Sequence, residues 1–335
     1  EGRKSLVVAI SGFVVPFVLG FSASYWWFGL ELLGAMFVGG TLTATSIGIT
    51  VRVLSDLKRR HALEGQVVLG AAVLDDVLGV ILLALLYEFS VGGGVSLANA
   101  GKVMLFIIAF FVLAPLFARL ISVVIKHFDE VSEIPGLLPT AIVALVLFFA
   151  WLAYAMGAPE LLGGFAAGLA LSRRFFLPLG AALRTDTLFA DRIEVQMKPI
   201  IHLFTPIFFV YVGLSLNFRE IDWGSPFIWG FSLTLFGIAV AGKLLGAFLI
   251  KEPWLVRWVI GIAMTPRGEV GLIFAELGRV SGIFDLEVYA ALVIVIALTT
   301  LMAPLVMKWF YHRYDLSIFD ADGRAGERRG DGPVS

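Results

Sequence analysis

Residues 65–89 read GQVVLGAAVLDDVLGVILLALLYEF. As a helix this stretch is long enough to cross about 30 Å of hydrocarbon, yet its centre holds two adjacent carboxylates, Asp75 and Asp76, with largely apolar residues on either side. A carboxylate near the bilayer centre costs about 2.5–3.5 kcal/mol on insertion scales. Both aspartates lie too deep to snorkel to an interface, so the pair predicts an internal polar cavity within a bundle of membrane helices. Neighbours on a helix diverge by about 100°, so the two carboxylates need not touch while both border one aqueous pocket. The purely structural alternative is a pair of buried aspartates satisfied by backbone donors and a lysine.

The rest of the chain has the same character. Hydrophobic residues make up 59% and charged residues 15%, against about a quarter charged in soluble domains, and the mean hydropathy is +0.94. The 29 Phe, 8 Trp, 36 Gly and 13 Pro match the aromatic and Gly/Pro enrichment of membrane helices. A net charge of −1 supplies no nucleic-acid footprint, and the absence of cysteine removes disulfides, thiolate metal sites and Cys nucleophiles.

About ten apolar stretches of membrane-crossing length run near Ser5–Phe28, Leu30–Leu57, Gly65–Phe89, Ala100–Ile125, Ile134–Met156, Pro159–Phe176, Met197–Leu216, Phe227–Ile250, Val256–Leu277 and Glu287–Phe310. The fold class expected is therefore all-α and polytopic. Lys and Arg concentrate on one side, at Arg3, Lys4, Lys58, Arg59, Arg60, Lys126, Arg173, Arg174, Arg184, Arg192, Lys198, Lys251, Arg257, Lys308 and Arg313, against Lys102, Arg219 and Arg279 on the other. The positive side is the cytoplasm, which predicts both ends inside and a disordered polar tail from Asp320 to Ser335. An apolar helix begins almost directly after Arg3 and Lys4, and this predicts a chain lacking the N-terminal part of a longer protein. The run is longer than a 7–15-residue signal-peptide core and carries Pro16.

Two spans carry signs of interruption. In LLGAMFVGGTLTATSIGITVRVL, Gly39, Gly40, Thr41, Thr43, Thr45, Ser46 and Gly48 crowd the middle; in RWVIGIAMTPRGEVGLIFAELG, Thr265, Pro266, Arg267, Gly268 and Glu269 separate two short apolar halves. Pro266 removes a backbone donor. Broken membrane helices expose carbonyls and oriented half-helix ends, and short interrupted segments in opposed halves point to an inverted repeat with its site between them. Small residues that merely permit close helix packing are the alternative for the first. A local Arg267–Glu269 ion pair is the alternative for the second.

Lys243, in SPFIWGFSLTLFGIAVAGKLLGAFLIK, is the remaining deep charge. Snorkelling would explain it; an ion pair with one of the aspartates is favoured, because Gly242 and Gly246 flank it and let another backbone approach. His202 and Glu160 read as interfacial. Burial and mutual repulsion oppose two full charges on adjacent carboxylates, so a proton can be held or released there. The same oxygens are hard ligands for an alkali cation. Proton and cation then compete for one site.

The motifs TATSIGITVRVL, AAVLDDVLG, AGKLLGA and TPRGEVGLI, in this order, resemble the monovalent cation:proton antiporter-2 family of prokaryotic sodium/proton exchangers over nearly all of Ser5–Phe310. The resemblance implies an inverted-repeat antiporter fold with two crossing discontinuous helices, and a chain lacking roughly the first three of about thirteen helices. It implies Asp76 as principal carrier of cation (Na⁺ or K⁺) and proton, Asp75 as its partner, and Lys243 as the lysine that pairs with an aspartate when no cation is bound. Thr45 and Ser46 would border the crossing, with Thr265, Arg267 and Glu269 on the other broken helix. Potassium-efflux relatives usually show Gln before the aspartate and a soluble nucleotide-sensing domain after the helices. Asp75 stands at that position here and no such domain is expected, which favours electrogenic exchange of two protons for one sodium.

The organisation expected is residues 1–92 and 218–314 as an ion-translocating core, 93–217 as linker and dimerisation scaffold, and 315–335 as tail. Alternating access would carry the site past the scaffold, in a multi-pass protein of the prokaryotic cell membrane that forms a homodimer when full length. The expected partners are the cation, protons and the lipid bilayer, with no nucleic acid. No cofactor is expected beyond the transported ions. K⁺/H⁺ exchange and a cation channel are the rival readings. An enzyme ranks last, since no HExxH, GxSxG or P-loop supplies catalytic chemistry.

Overall fold

A computed structural model describes residues 2–60, 62–92, 136–155, 160–171, 187–215 and 219–314, together with isolated positions between 101 and 113. Apart from those isolated positions, the expected span Ala100–Ile125 falls outside the described residues, as do the tail 315–335 and Lys102, Lys126, Arg173, Arg174 and Arg184.

Among the described residues the chain is helical and contains no strand. The helices are α1 Gly2–Ser22, α2 Leu32–Thr41, α3 Ile47–Asp56, α4 Leu63–Val91, α5 Leu137–Ala155, α6 Glu160–Leu171, α7 Thr187–Ser215, α8 Pro226–Phe248, α9 Trp254–Ala263, α10 Glu269–Val280 and α11 Leu286–Arg313. A π-helical turn, Ala23–Trp27, extends α1. Among the described residues, six segments are long and apolar enough to cross a membrane: Gly2–Trp27, Leu63–Val91, Leu137–Ala155, Val195–Leu214, Pro226–Phe248 and Leu286–Arg313. The chain is a multi-pass membrane protein. Large apolar side chains face outward, and exposed Trp26 and Trp27 at one end of α1, with Trp254 and Trp309 near the ends of α9 and α11, are suited to the headgroup level.

Two expected spans are broken. Leu30–Leu57 is two ten-residue helices, α2 and α3, and Val256–Leu277 falls across the short α9 and α10. The first break, 42–46, is rich in hydroxyl residues, and the second, 264–268, holds Pro266 and Gly268. The helix expected from Met197 begins earlier, at Thr187, and contains Pro199 and Pro206.

The packing forms two compact units, one from Glu1–Gly79 and Phe218–Ser335, the other from Val80–Asn217. In the first, Val8 and Ala9 of α1, Leu54 of α3, Val67 and Ala71 of α4, Ala247 of α8, Ile260 of α9 and Met307 of α11 build a buried core. In the second, Val80 and Ala84 at the far end of α4 pack with Ile142 and Phe149 of α5 and Leu162 and Ala166 of α6.

Backbone contact within the second unit is close enough to test. A methyl on Gly163 would stand 2.0 Å from the Phe149 carbonyl oxygen and 2.7 Å from the Ala150 nitrogen, whereas one on Gly168 meets nothing within 4 Å. Overpacking costs about 1–3 kcal/mol, and backbone yields less than a side chain. Gly163→Ala should lower the melting temperature of the purified protein by several degrees, about what such a loss produces, while Gly168→Ala leaves it unchanged or slightly raised.

Candidate cation site

Water is absent from the hydrocarbon, so each carbonyl and amide freed by a helix break must find a partner inside the protein. At the end of α2 the hydroxyls turn back onto their own helix: Thr41 donates to the Phe37 carbonyl at 2.9 Å and Thr43 to the Gly40 carbonyl at 2.7 Å. At the end of α9, Thr265 donates to the Gly261 carbonyl at 3.0 Å.

Further groups are satisfied across the two breaks. Ser46 N–H donates to the Pro266 carbonyl at 2.8 Å, Thr50 Oγ1 to Ala263 at 2.6 Å, and Thr45 Oγ1 to Met264 at 3.1 Å. In return, Arg267 Nη1 donates to the Thr43 and Ala44 carbonyls, both at 2.9 Å, while Nη2 reaches the Ala239 carbonyl of α8 at 3.3 Å. The Thr300 hydroxyl donates to the Arg267 carbonyl. A Cβ on Gly268 would lie 2.6 Å from Ser46 Cβ, so only glycine lets the two breaks come this close. Each such hydrogen bond contributes about 0.5–1.5 kcal/mol net, but a buried group left without one costs about 1–3 kcal/mol.

Asp75 lies against this junction and is fully buried. Its Oδ2 accepts from Thr45 Oγ1 at 2.6 Å and from Lys243 Nζ at 2.7 Å. Lys243 is also buried, which makes the pair a dehydrated ion pair rather than a snorkelled lysine. Asp75 Oδ1 and Arg267 Nε are buried without a hydrogen-bond partner. Thr45 thus holds one hydroxyl proton between two acceptors, Asp75 and the Met264 carbonyl.

Asp76, one position on, is only partly buried, and among the described residues no hydrogen bond or ion pair reaches it. The 100° step around the helix separates the two environments. Glu269, at the start of α10, is exposed, and the Ser46 hydroxyl stands 3.4 Å from its Oε2, a long contact.

The structure therefore brings Thr45, Asp75 and Lys243 into direct contact, sets Ser46 beside Glu269, and leaves Asp76 unpaired. Arg267 does not neutralise Glu269; it turns to backbone carbonyls, because the freed carbonyl ends of α2 and the Ala239 carbonyl offer its planar fork several acceptors at once. Thr265 is spent on its own helix. His202 and Glu160 are both exposed. Thr50 and Thr300 were not singled out from the sequence. Thr50 continues the hydroxyl-rich run after Thr45 and could have been found there, while Thr300 has no local signal.

The family model described as sodium/hydrogen exchanger, transmembrane, matches residues 1–312. The chain belongs to this family. It is 34% identical over 309 residues to the high-affinity Na(+)/H(+) antiporter NhaS3 of Synechocystis sp., a match covering 90% of this chain and 64% of that protein. It is 33% identical over 319 residues to the Na(+)/H(+)-K(+) antiporter GerN of Bacillus cereus, covering 93% and 77%. The chain thus spans just under two thirds of the Synechocystis relative's length and about three quarters of GerN's. The solved structure of the sodium proton antiporter MjNhaP1 from Methanocaldococcus jannaschii at pH 8 shares the fold, with a TM-score of 0.65 and 14% identity, covering 92% of this chain and 77% of that one.

The ion pair yields a stability prediction. Removing one partner of a buried pair leaves a charge without compensation, at a cost of about 3–5 kcal/mol. Lys243→Met should lower unfolding stability by about that amount, and adding Asp75→Asn should recover much of it, as read by thermal or denaturant unfolding of the purified protein. Equal stability of Lys243→Met and wild type would show that the pair is not held as the geometry has it.

Proposed function

We propose that this protein exchanges a monovalent cation, sodium in the first instance, for protons across the membrane. The observation that carries the reading is the division of labour between adjacent carboxylates: Asp75 is enclosed by Thr45 and Lys243, while Asp76 is partly accessible and unpaired. Asp76 is the group at which a cation and a proton exchange directly. Asp75 joins the coordination when the cation draws it from Lys243, and Thr45 and Ser46 supply hydroxyl oxygens. The names of the relatives, sodium/proton antiporters in two genera, support the same assignment.

In this mechanism the two interrupted helices are the crossing pair of an inverted repeat within about ten spans, a reading supported by the hydrogen bonds between their breaks. Thr265, Arg267 and Glu269 belong to that crossing, with Arg267 clamping it and Glu269 at its exposed edge. Residues 1–92 and 218–314 act as the moving core, and 93–217 as scaffold and dimer contact. The full-length protein is then a homodimer in the cell membrane with the ends of this chain on the cytoplasmic side. Two protons exchanged for one sodium ion transfer one net charge per cycle, which couples the reaction to membrane potential at about 2.3 kcal/mol per 100 mV. No cofactor enters the cycle.

Potassium is the second reading for the cation, because GerN is named for K(+) as well as Na(+) and carboxylate and hydroxyl oxygens do not by themselves separate the two ions. Proteoliposomes holding the purified protein should alkalinise or acidify on a sodium gradient, and the signal should change with an imposed potential. Asp76→Asn should reduce exchange to the level of empty vesicles. Undiminished exchange in that variant would reject the assignment, and a flux driven by potassium alone would select the second cation.

A further inference from the structure

Lys243 reaches Asp75 from a different helix, and the route of its side chain depends on α1. On α8, Gly242 and Gly246 flank the lysine, and both are pressed against α1. A Cβ on Gly246 would lie 2.7 Å from the Gly12 nitrogen and 2.9 Å from its Cα; one on Gly242 would lie 2.7 Å from Pro16 Cγ and 3.1 Å from Pro16 Cα. With the backbones this close, the stem of Lys243 runs along α1, and Gly12 is where it passes. A Cβ on Gly12 would stand 3.3 Å from Lys243 Cδ and 3.7 Å from Nζ.

Nothing in the backbone requires glycine at this position. Gly12 lies inside a continuous helix and is not among the positive-φ glycines, so alanine, the better helix former, would suit the local conformation. The requirement is space for the lysine. Lys243 is fully buried, and Asp75 Oδ2 at 2.7 Å is its one acceptor among the described residues. A contact of 3.3 Å forces a flexible stem to give by a few tenths of an ångström, and any such shift is made at the ammonium of a short ion pair.

Resting on the exchange reading, we propose that Gly12 is a positioning residue: its missing side chain sets the strength of the Lys243–Asp75 pair, and through it the apparent affinity for the cation. The cation must displace Lys243 from Asp75 before it is fully coordinated. A protein whose binding-competent state is only fractionally populated binds more weakly by that fraction. Loosening the pair therefore tightens apparent binding.

The test measures the half-saturating sodium chloride concentration, against choline chloride, in two ways: from proton exchange in proteoliposomes and from the sodium-dependent rise in melting temperature of the purified protein. Gly12→Ala should lower that concentration about threefold to tenfold, the factor by which the unpaired Asp75 population rises. Ser11→Ala, which removes the Ser11 hydroxyl bond to the Gly246 carbonyl on the same seam without touching Lys243, should leave it unchanged. In a Lys243→Met background Gly12→Ala should have no further effect, since contacting residues couple in a double-mutant cycle. An unchanged value for Gly12→Ala, an equal shift from Ser11→Ala, or a shift that persists without the lysine would overturn the proposal. If Gly12→Ala does not accumulate folded protein, Gly12→Ala with Lys243→Met should restore it, and failure to do so would count equally against it. Absence of exchange by the wild type would reject the transport reading, while the melting measurement would still decide the role of Gly12.

Discussion

A helix that stops inside a membrane leaves carbonyls and amides with no water to receive them, and the site in this protein is built on how that problem is solved. The two breaks, 42–46 and 264–268, satisfy one another. Ser46, Thr45 and Thr50 bond the carbonyls at the end of α9 and at Pro266, and Arg267 bonds the carbonyls at the end of α2. The union of the two breaks also fixes the height and orientation of Thr45, and so fixes where Asp75 finds its hydroxyl donor.

Arg267 has a particular place in that arrangement. A guanidinium carries a positive charge that cannot be discharged in a protein, and here it lies at the carbonyl end of a half-helix, where a cation is electrostatically favoured. The carbonyls of Thr43 and Ala44 are thereby committed to the protein's own cation. Asp76, the carboxylate of the pair that is not enclosed, receives no hydrogen bond or ion pair among the described residues.

The adjacent aspartates show how one residue of helical offset separates two environments. Asp75 is buried between Thr45 of the first break and Lys243 of α8, where burial makes an unpaired charge expensive and Lys243 offsets it. Asp76, one step around the helix, is only partly buried and is reached by no hydrogen bond among the described residues. In the exchange proposed for this protein the ion pair has both a structural and a functional role, since a buried pair is displaceable when a competing cation offers the carboxylate the same charge. The glycine seam between α1 and α8 sets how far the lysine can extend.

Much of this was legible from residues alone, because hydrocarbon penalises polar groups so heavily that any in mid-span must have a reason. Asp75, Asp76 and Lys243 stand out for that cause, and the cluster of Gly, Thr and Pro at 39–48 and 265–268 marks both breaks. The pairings were not legible. Asp75 and Lys243 are 168 residues apart, and sequence offered Lys243 either aspartate; Arg267 has Glu269 two positions away yet bonds carbonyls more than two hundred residues distant. The need for Gly12 is invisible in a helix that would tolerate alanine. Composition and periodicity thus determined by themselves a polytopic helical membrane protein with a charged site at mid-depth, since those properties follow from local transfer energies. Which carboxylate is enclosed, which is open, and what each buried cation bonds were decided by the tertiary structure, because hydrogen bonds and ion pairs act over about 3 Å and only the packing of α1, α2, α3, α4, α8, α9 and α10 brings their partners within that distance.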